Sequence, residues 1–488
     1  MSAMRLDGLL HGIATPENGD IMVAGLTQDS RAVRAGDAFV ALAGSKHHGI
    51  EFADVALTRG AVAILAENSG PRSTRHGPVI WIDSLRSHLG EIASRFFGNP
   101  SARMALIGVT GTNGKTSTVQ LLAQAFTHLG KRAATIGTLG AGMHGALHEG
   151  ERTTPDVIRV HGLLAEFREA GASHVAMEVS SHALDQNRVD GVHFDVAVFT
   201  NLTRDHLDYH GTMENYGAAK AKLFTWPDLR AAVINVDDAF GRHLIAQLPV
   251  AVRALSYATD AEDAELRALD VHSHSDGIDF ELATPWGTGM VRSRLLGRFN
   301  VTNLLAVAGA LGALDVPFAQ IHDALEALQP VGGRMSRLGG GAMPLVVVDY
   351  SHTPDALEQA LTTLRAHCEG KLICVFGCGG DRDVGKRPVM GAISERLADV
   401  AIVTDDNPRN EDGDAIVAQI LGGMHAPRHA TIERDRSRAI GLAIAQASAG
   451  DVVLVAGKGH EIYQESAGVK RPFDDFQVAR ANLEARPC

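Results

Sequence analysis

The sequence predicts an α/β protein built from three domains, and three observations support that prediction. At 488 residues the chain is too long for one hydrophobic core, since a domain commonly holds ~150 residues. Its composition is 45% hydrophobic and 21% charged with 52 glycines, which is typical of a loop-rich α/β protein. Short apolar strands alternate with helical stretches, as in a mostly parallel sheet that helices cover.

The central domain has the clearest local pattern. A buried-strand pattern at 104–110 leads through a Gly-rich loop into a helical stretch that ends at Gly130, a suitable C-cap. Further apolar strands alternate with helical stretches, and they are predicted at 174–180, 195–200 and 231–237. We therefore expect a parallel-sheet domain over residues 101–335.

The two ends of the chain predict the other domains. Residues 1–100 contain short strands and turns with two small helices, including a strand-like AVAIL at 61–65, and indicate a small α/β domain. The Gly-rich segment GGRMSRLGGG at 332–341 is expected to be a flexible hinge. The alternation then restarts with PLVVVDYS, KLICVFG, VAIVTDD and DVVLVAG. A doubly wound, Rossmann-like domain is therefore predicted over residues 336–488.

Charge and composition exclude several classes of protein. The formal net charge is -12, which disfavours binding to nucleic acid through phosphate neutralisation. No window reaches the ~18 uninterrupted apolar residues of a membrane helix, and the N-terminus lacks a basic start followed by an apolar stretch. The four cysteines do not complete a zinc site and fit reduced structural thiols. We expect a cytoplasmic monomer with no membrane span.

The segment GVTGTNGKTST at 108–118 is the strongest single signal. Its small residues lie between a strand and a helix, where backbone N–H groups can surround phosphate oxygens. In such a P-loop-type turn, Lys115 would neutralise the β and γ phosphates and the Thr116 hydroxyl would ligate Mg²⁺. The first glycine of the usual spacing is displaced by one residue, so Gly111 and Gly114 complete the working core. An ordinary Gly-rich turn with a surface lysine is the alternative.

Two further segments follow predicted strands of the central domain. Glu178 ends a buried strand, where α/β sheets bind ligands, and Mg²⁺ would compensate its charge beside a phosphate loop. A salt bridge to a nearby helix is the alternative for this carboxylate. His206 and His210 have i, i+4 spacing in the polar segment 200–224, which fits either a metal site or a solvated loop. Lys220 lies on the succeeding helix, where exposed lysines are commonplace.

In the third domain, two polar segments follow predicted strands. DDNPRNEDGD at 405–414 places Arg409 in a turn, which suits a two-pronged grip on a carboxylate. AGKGHE at 456–461 places Glu461 at the same edge of the sheet. The two together indicate a pocket for a zwitterionic amino acid, although either could instead form a surface ion pair worth under ~1 kcal/mol.

The motifs TGTNGKT, MEVSSHAL, FTNLTRDHLDYHGTMENYGAAK, DYSHTPDAL, GCGGDRD, DNPR and GKGHE occur in this order. Together they resemble the Mur ligase family over nearly the whole chain. The resemblance implies an N-terminal domain for a UDP moiety, a central ATPase domain and a C-terminal domain for an amino acid. It also implies that ATP converts the D-glutamate carboxylate of UDP-N-acetylmuramoyl-L-alanyl-D-glutamate to an acyl phosphate. The amine of meso-2,6-diaminopimelate then attacks, in the synthesis of peptidoglycan precursor.

The same resemblance implies roles for individual residues. The catalytic residues are Lys115, Glu178, His206 and Lys220. The Mg²⁺ ligands are Thr116, Glu178, His206 and Lys220, the last as a carbamate. The ATP-binding residues are Gly111, Thr112, Asn113, Gly114, Lys115, Thr116, Ser117, Asn303, Arg334, Asp349 and His352. The residues for the UDP substrate are Ser30, Thr153, Thr154, Ser180, Gln186 and Arg188. The residues for diaminopimelate are Arg382, Asp406, Asn407, Arg409, Gly457 and Glu461.

The DNPR motif indicates which amino acid is used. Lysine lacks the second carboxylate of diaminopimelate, so a buried Arg409 would be left unpaired at a cost of roughly 1 to 3 kcal/mol or more. The sequence departs from the family pattern in VGGRMS, where Gly332 and Ser336 replace Pro and Glu and imply a looser hinge. It also departs in SKHHGIEF, so no individual sugar contact is assigned to His47 or His48.

Two other functions are compatible with parts of the sequence. Folylpolyglutamate synthetase shares the architecture and also forms amides through an acyl phosphate, but its loop normally reads GKGS and it lacks DNPR. A nucleotide-binding protein without ligase activity is the second alternative. It would need no second metal site, so the joint presence of Lys115, Glu178, His206 and Lys220 argues against it.

Overall fold

The computed structural model describes residues 3–44, 47–69, 79–150, 152–274 and 276–486. The chain divides into two compact units, Met1–Ser256 with Gly309–Asp315 and Tyr257–Ala308 with Val316–Cys488. Strands and helices alternate in both, which confirms the α/β class predicted from the sequence. Within the described residues, no helix is long and apolar enough to cross a membrane. The domain limits at residues 100 and 335 stay predictions.

The N-terminal part of unit 1 is a small α/β layer. Its four-stranded parallel sheet has the order β3-β4-β5-β6, namely Gly25–Thr27, Asp37–Ala41, Ala63–Glu67 and Val79–Ile82. The two short antiparallel strands are β1 (Met4–Arg5) and β2 (Met22–Val23). The helices are α1 (Leu6–Leu9), α2 (Ala53–Thr58) and α3 (Leu85–Phe96). Leu89 and Ile92 of α3 share a hydrophobic core with Val157 and Ile158, which joins this layer to the rest of unit 1.

The central part of unit 1 is a larger sheet with helices between its strands. Its strands are β7 (Ala105–Thr110), β8 (Ala133–Gly137), β9 (Gly140–Met143), β10 (Ala146–His148), β11 (His174–Glu178), β12 (Val196–Phe199), β13 (Ala231–Asn235) and β14 (Arg253–Ala258). Their order is β10-β9-β8-β11-β7-β12-β13-β14. The pairs from β8 to β13 are parallel, as the sequence predicts, while β9 and β10 are antiparallel.

The helices of this part are α4 (Lys115–His128), α5 (Val157–Glu169), α6 (Ser181–Asp185), α7 (Leu207–His210), α8 (Met213–Ala221) and α9 (Ala239–Gln247). Gly130 follows the end of α4 with φ 72°, a left-handed conformation that glycine adopts without a Cβ penalty, so the predicted C-cap is confirmed. Since β7 and β11 are neighbours and parallel, the loop after β7 and Glu178 at the end of β11 lie at the same edge of the sheet.

Unit 2 begins with three antiparallel strands, β15 (Leu266–His274), β16 (Gly277–Thr284) and β17 (Gly287–Ser293). The helices α10 (Arg298–Ala313) and α11 (Phe318–Ala327) follow. The division between the units falls within β14, after Ser256, and within α10, after Ala308.

The rest of unit 2 is a six-stranded sheet in the order β18-β19-β23-β20-β21-β22. These strands are Ser336–Gly339, Leu345–Asp349, Val452–Ala456, Leu372–Phe376, Val400–Val403 and Thr431–Ile432. All pairs are parallel except β18 with β19. The helices are α12 (Pro354–Arg365), α13 (Lys386–Leu397), α14 (Gly413–Leu421), α15 (Arg436–Gln446) and α16 (Asp475–Glu484). A hairpin of β24 (Tyr463–Ser466) and β25 (Val469–Pro472) precedes α16.

Helices cover both faces of this sheet, with one buried core on each face, which is the doubly wound arrangement predicted. The segment 332–341 differs from the expected hinge, because four of its residues form strand β18. Ser336 pairs with Val348, and the backbone N–H of Met335 donates to Asp349 Oδ2 at 2.8 Å. Pairing along the open edge of β19 thus orders a segment whose glycines alone indicate flexibility.

Candidate functional site

The Gly-rich loop of unit 1 connects β7 to α4. It ends at Gly114, directly before the first N–H groups of α4, which have no acceptors within the helix and can bind an anion. Gly111 has φ 147°, and a Cβ there would lie 1.9 Å from Thr200 Oγ1. Only glycine therefore fits this turn. Thr116 is buried in the first turn of α4, whereas Asn113 is exposed at the tip of the loop.

The segment after β12 holds the loop in shape. The N–H of Thr112 donates to the carbonyl of Asn201 at 2.8 Å, and the N–H of Asn113 donates to Asn201 Oδ1 at 2.9 Å. Thr200 Oγ1 donates to the carbonyl of Asn113 at 2.6 Å, and the N–H of Thr203 donates to Thr112 Oγ1 at 3.0 Å. These bonds preorganise the loop and account for the TNLT sequence, whose contribution the sequence reading did not identify.

Two lysines meet at this loop. Lys115 Nζ donates to the carbonyl oxygens of Gly111 and Thr112 at 2.9 and 2.8 Å. Lys220 Nζ, from α8, donates to the same Gly111 oxygen at 2.7 Å and is 1% exposed. Burial, together with the charge of Lys115, lowers the pKa of Lys220 to about 6. Its helix position alone did not separate Lys220 from an exposed lysine, although the family resemblance did, and the structure places its Nζ against the Gly111 carbonyl.

Glu178 is the last residue of β11 and is 1% exposed. Its Oε1 accepts the N–H of Thr138 at 2.7 Å, and its Oε2 accepts the Thr138 hydroxyl at 3.2 Å. Among the described residues, no helix cation forms a salt bridge with it. Both carboxylate oxygens are held by the neutral donors of Thr138, which leaves room for a cation as a further partner.

Five residues predicted for the UDP substrate belong to one hydrogen-bonded network around Glu178. Thr154 Oγ1 donates to the Glu178 carbonyl at 2.9 Å, and the N–H of Ser180 donates back to Thr154 Oγ1 at 3.2 Å. Thr153 Oγ1 lies 3.1 Å from Thr138 Oγ1. Hydroxyl groups thus surround the end of β11, and the Thr138 hydroxyl links Thr153 to the Glu178 carboxylate.

Arg188 and Gln186 extend this network. The guanidinium of Arg188 donates to the Thr154 carbonyl at 3.0 Å and, through Nε and Nη2, to Gln186 Oε1 at 3.1 and 2.5 Å. Burial lowers the pKa of Arg188. Gln186 Nε2 donates to the Tyr209 hydroxyl at 3.0 Å, which in turn donates to Asp185 at 2.8 Å. Tyr209 was missed in the sequence, although it lies within the recognisable DYHG segment. Ser30, the sixth predicted residue, is buried in the N-terminal layer.

Histidines gather beside this network. The rings of His182 and His206 have centroids 4.8 Å apart, and those of His182 and His210 are 5.4 Å apart. His206 has φ 51° and an exposed side chain, whereas His210 is buried and bonds to Ser181 Oγ at 3.0 Å. Burial and the neighbouring histidines lower the pKa of His182. The two histidines of the i, i+4 pair therefore differ in exposure, and of the two only His206 is accessible to a ligand.

The side chains of Thr116, Glu178 and Lys220 are candidate ligands for a metal ion. Within the described part of the chain, no group of three or more His, Cys, Asp or Glu side chains is arranged to hold one. Mg²⁺ does not require such a group, since it commonly binds one or two carboxylates together with phosphate oxygens and water. The buried Glu178 carboxylate and the buried Thr116 hydroxyl fit that preference. Lys220 fits it only if its amine is converted to an anionic group.

In unit 2, three residues predicted to bind the nucleotide lie close to strands β18 and β19 in the chain. Arg334 precedes β18, Asp349 ends β19, and His352 follows β19. Asp349 Oδ2 accepts the N–H of Met335, and its Oδ1 accepts the Ser351 hydroxyl. The Arg334 guanidinium lies 5.2 Å from the Tyr350 ring centroid, and its buried Nε has no hydrogen-bond partner among the described residues. An unsatisfied buried donor is costly and is expected where a ligand supplies the acceptor. Tyr350, whose pKa is raised by burial, was not identified from the sequence.

Besides Arg334 and Asp349, the residues of unit 2 predicted to bind the nucleotide are His352 and Asn303. The His352 ring lies 4.4 Å from that of Tyr350, and its Nδ1 contacts the Tyr350 carbonyl at 2.8 Å. Asn303 is buried in α10, where its Nδ2 donates to Asn300 Oδ1 at 2.9 Å. The structure therefore brings Arg334, Asp349 and His352 around Tyr350.

The segments DNPR and GKGHE come together after β21 and β23, and they form a group that we term the unit 2 charged cluster (Asp406, Asn407, Arg409, Lys458 and Glu461). Asn407 Nδ2 donates to Glu461 Oε2 at 2.9 Å. Lys458 Nζ donates to Asn407 Oδ1 at 3.0 Å and to Glu461 Oε2 at 3.3 Å. Lys458 was not selected from the sequence. Its signal was a lysine between two glycines directly after a fully buried strand.

Arg409 is fixed by its own backbone and side chain. It has φ 53°, its N–H donates to the Glu465 carbonyl at 3.1 Å, and its Nη1 donates to the Gly380 carbonyl at 2.8 Å. Its Nε lies 3.6 Å from Glu465 Oε2. The predicted turn is therefore observed, and the guanidinium is held rather than solvated. Arg382 is exposed on the neighbouring GGDRD loop, and Gly457 adjoins Asp406.

A buried ion pair lies behind the unit 2 charged cluster. Arg436 donates through Nε and Nη2 to both carboxylate oxygens of Asp475 at 2.7 Å, and its Nη2 also donates to the Ala456 carbonyl at 3.0 Å. Both side chains are fully buried. The fold and these side chains define an α/β protein with a glycine-rich loop at a helix N-terminus in unit 1 and a charged, partly buried cluster in unit 2.

Comparison with known proteins gives a more specific assignment. The Mur ligase family catalytic domain matches residues 22–97, the Mur ligase middle domain 109–311, and the Mur ligase glutamate ligase domain 333–459. The chain belongs to the Mur ligase family.

Individual relatives match along nearly the full length. The UDP-N-acetylmuramoyl-L-alanyl-D-glutamate--2,6-diaminopimelate ligase of Xanthomonas campestris pv. campestris is 60% identical over 487 residues, which are 99% of this chain and 98% of that protein. The protein of the same name from Pseudomonas aeruginosa is 52% identical over 96% of both chains. A solved structure of a ligase of this name has a TM-score of 0.78 at 36% identity and covers 99% of both chains.

Proposed function

We propose that this chain is an ATP-dependent ligase that joins meso-2,6-diaminopimelate to UDP-N-acetylmuramoyl-L-alanyl-D-glutamate in the synthesis of peptidoglycan precursor. The observation that carries this proposal is the 52 to 60% identity, over nearly the whole chain, to relatives that bear the name of that ligase. The arrangement of the side chains in both units supports it, because each unit has groups suited to one part of the reaction.

A carboxylate is too poor an electrophile for an amine, so it must first be activated. One oxygen of the D-glutamate carboxylate attacks the γ phosphorus of ATP, ADP leaves, and an acyl phosphate forms. The diaminopimelate amine then forms the new C–N bond and loses a proton, and phosphate is expelled with the original carboxylate oxygen. In this scheme the Gly111–Gly114 loop binds phosphate, and Lys115 exchanges the two carbonyl oxygens it now contacts for phosphate oxygens.

Magnesium would be held by Thr116, Glu178, His206 and a carbamate on Lys220, together with the nucleotide phosphates. When bound, it neutralises charge on the phosphoryl group being transferred. The Lys220 carbamate forms when the neutral amine adds CO₂, making an N–C bond and releasing a proton. Its burial, its pKa of about 6 and the adjacent charge of Lys115 support this assignment, since each disfavours an ammonium at that position.

The hydroxyl network and Arg188 suit the UDP-linked peptide. Thr153, Thr154 and Ser180 offer hydroxyl groups, Gln186 offers an amide, and Arg188 offers a guanidinium for carboxylate groups. Ser30 of the N-terminal layer is proposed to contact uridine. Asn303, Arg334, Asp349 and His352 of unit 2 are proposed for ATP, and the unpartnered Nε of Arg334 supports a role for that side chain.

The unit 2 charged cluster, with Arg382 and Gly457, is proposed to bind diaminopimelate. Its carboxylates suit ammonium groups, and Arg409 suits the carboxylate that lysine lacks. Arg409 is already held by Gly380 and Glu465, so little conformational entropy remains to be lost when it binds. Leaving this guanidinium unpaired with lysine would cost roughly 1 to 3 kcal/mol, or about 5- to 150-fold in kcat/KM.

We further propose that the ligase acts in the cytoplasm as a monomer. ATP as co-substrate supports that compartment, as do the free thiols of the buried Cys374 and Cys378. Sedimentation of the purified chain tests the monomer.

The proposed activity is tested with purified protein, ATP, Mg²⁺ and UDP-N-acetylmuramoyl-L-alanyl-D-glutamate, offered diaminopimelate or L-lysine in parallel while phosphate release is followed. We expect phosphate release and a product whose mass includes one diaminopimelate. Release that needs no amino acid, or that lysine supports as well as diaminopimelate, would contradict the proposal.

A further inference from the structure

Lys458 is a fully buried lysine whose role the proposed reaction does not yet explain. It follows β23 within the GKGHE motif and is 0% exposed. Its Nζ lies 3.0 Å from Asn407 Oδ1, 3.3 Å from Glu461 Oε2 and 3.6 Å from Asp406 Oδ1. A buried ammonium is costly unless paired, so these three contacts determine where Lys458 can lie.

The first consequence concerns the side-chain amide of Asn407. Its Oδ1 accepts from Lys458 Nζ and from the N–H of Glu465 at 2.9 Å, so its Nδ2 must face Glu461. Rotation of the amide by half a turn would put Nδ2 against two donors and Oδ1 against a carboxylate. Lys458 and the N–H of Glu465 therefore together select one orientation of Asn407.

The second consequence concerns the two acids. Glu461 Oε2 is taken by both Asn407 and Lys458, which leaves the other oxygen of this partly exposed carboxylate to accept from a ligand. Asp406 Oδ1 is enclosed and has no hydrogen-bond partner in the part of the chain that the structure describes, and Lys458 Nζ lies 3.6 Å from it. The neighbouring Arg436 is paired with Asp475. Lys458 therefore contacts both carboxylates and balances their charge together with Arg436, whose positive charge also acts on Asp406 and Glu461.

We propose that Lys458 is a positioning residue for the amino-acid substrate, which fixes Asn407 and Glu461 so that Glu461 receives a substrate ammonium group. This inference rests on the proposed function, because it assigns the unit 2 charged cluster to diaminopimelate. Lys458 itself is enclosed and acts through the two side chains that it holds.

Replacing Lys458 by methionine tests this role, since methionine fills a similar volume without charge or donors. Lys458→Met should raise KM for diaminopimelate by about tenfold or more, whereas KM for ATP and kcat at saturating diaminopimelate should change less than about twofold. Lys458→Gln keeps a donor and should give an intermediate KM. Lys470→Met is the matched control. Lys470 lies 4.3 Å from the Tyr463 ring centroid, near which Lys458 also lies, but it is exposed and should be dispensable.

A double-mutant cycle separates positioning from a general effect on folding. If Lys458 acts through Glu461, adding Lys458→Met to Glu461→Gln should cost much less than it does in the wild type. Fully additive effects would overturn the inference, as would an unchanged KM for diaminopimelate or an equal rise in KM for every substrate. The activity of the wild type separates the proposed function from the role of Lys458. A wild type without diaminopimelate-dependent phosphate release contradicts the proposed function, whereas an active wild type with a normal Lys458→Met variant contradicts only the role of Lys458.

Discussion

Replacing Lys220 by alanine should abolish turnover, because the proposed carbamate can form only on this amine. The magnitude of the effect on CO₂ uptake follows from its pKa of about 6 against an ordinary 10.5. At pH ~7.5 roughly 97% of such an amine is neutral, compared with about 0.1% of an ordinary lysine. Burial therefore raises the reactive fraction about 1000-fold, and that fraction is lost as pH falls through about 6.

The assay has two parts. Phosphate release is measured for wild type, Lys220→Ala and Lys222→Ala, in which the control residue Lys222 lies two positions further on, is exposed and pairs with Asp185 at 3.4 Å. Lys220→Ala should lose at least about 100-fold in kcat, as expected for loss of a metal ligand, and acetate or bicarbonate should restore part of it. In parallel, ¹³C-labelled bicarbonate should give a carbamate resonance in the wild type and in Lys222→Ala.

Three results would count against a carbamate on Lys220. A Lys220→Ala variant with full activity would remove the catalytic role of this residue. A wild type that shows turnover but no labelled carbamate would show that Lys220 acts as an amine, and equal losses in both lysine variants would indicate a general effect on α8.

Three other predictions follow from single residues. Arg409→Lys should lower kcat/KM for diaminopimelate about 5- to 150-fold, because lysine cannot form two parallel hydrogen bonds to a carboxylate, and it should leave ATP binding unchanged. Steady-state kinetics and nucleotide titration measure the two effects. Equal activity would contradict the contact between Arg409 and the substrate carboxylate. Gly111→Ala should weaken ATP binding and lower Tm, because its Cβ would lie 1.9 Å from Thr200 Oγ1; unchanged calorimetry would contradict the loop geometry. Lys220→Met should raise the free energy of unfolding in CO₂-free buffer by up to about 4 kcal/mol at pH ~7.5. Between pH about 6 and 10.5 the unfolded chain holds a proton that folded Lys220 lacks. The free energy of unfolding of the wild type should therefore rise with pH relative to that of the variant. Urea unfolding at two pH values measures this difference, and its absence would contradict the lowered pKa.

Local patterns in the sequence were sufficient to predict the parallel strands and the Gly-rich turn between β7 and α4, since apolar runs and glycine spacing report directly on strands and turns. Strand β18 was not predicted, because its glycines favour flexibility and only pairing with β19 orders it. The same distinction applies to the site. Glu178 was predicted because it ends an apolar strand, whereas the burial of Lys220 depends on contacts with Gly111, which is 109 residues away. Tyr209 was missed because its partners Asp185 and Gln186 are distant in sequence, and Lys458 because its contact with Asn407 spans 51 residues.

The central claim is that a carboxylate activated as an acyl phosphate is captured by diaminopimelate. Its most direct test uses UDP-N-acetylmuramoyl-L-alanyl-D-glutamate with ¹⁸O in the D-glutamate carboxylate, together with ATP, Mg²⁺ and diaminopimelate. One ¹⁸O atom should appear in each phosphate released, with one amide formed per ADP. Unlabelled phosphate, or AMP and pyrophosphate as products, would contradict this account.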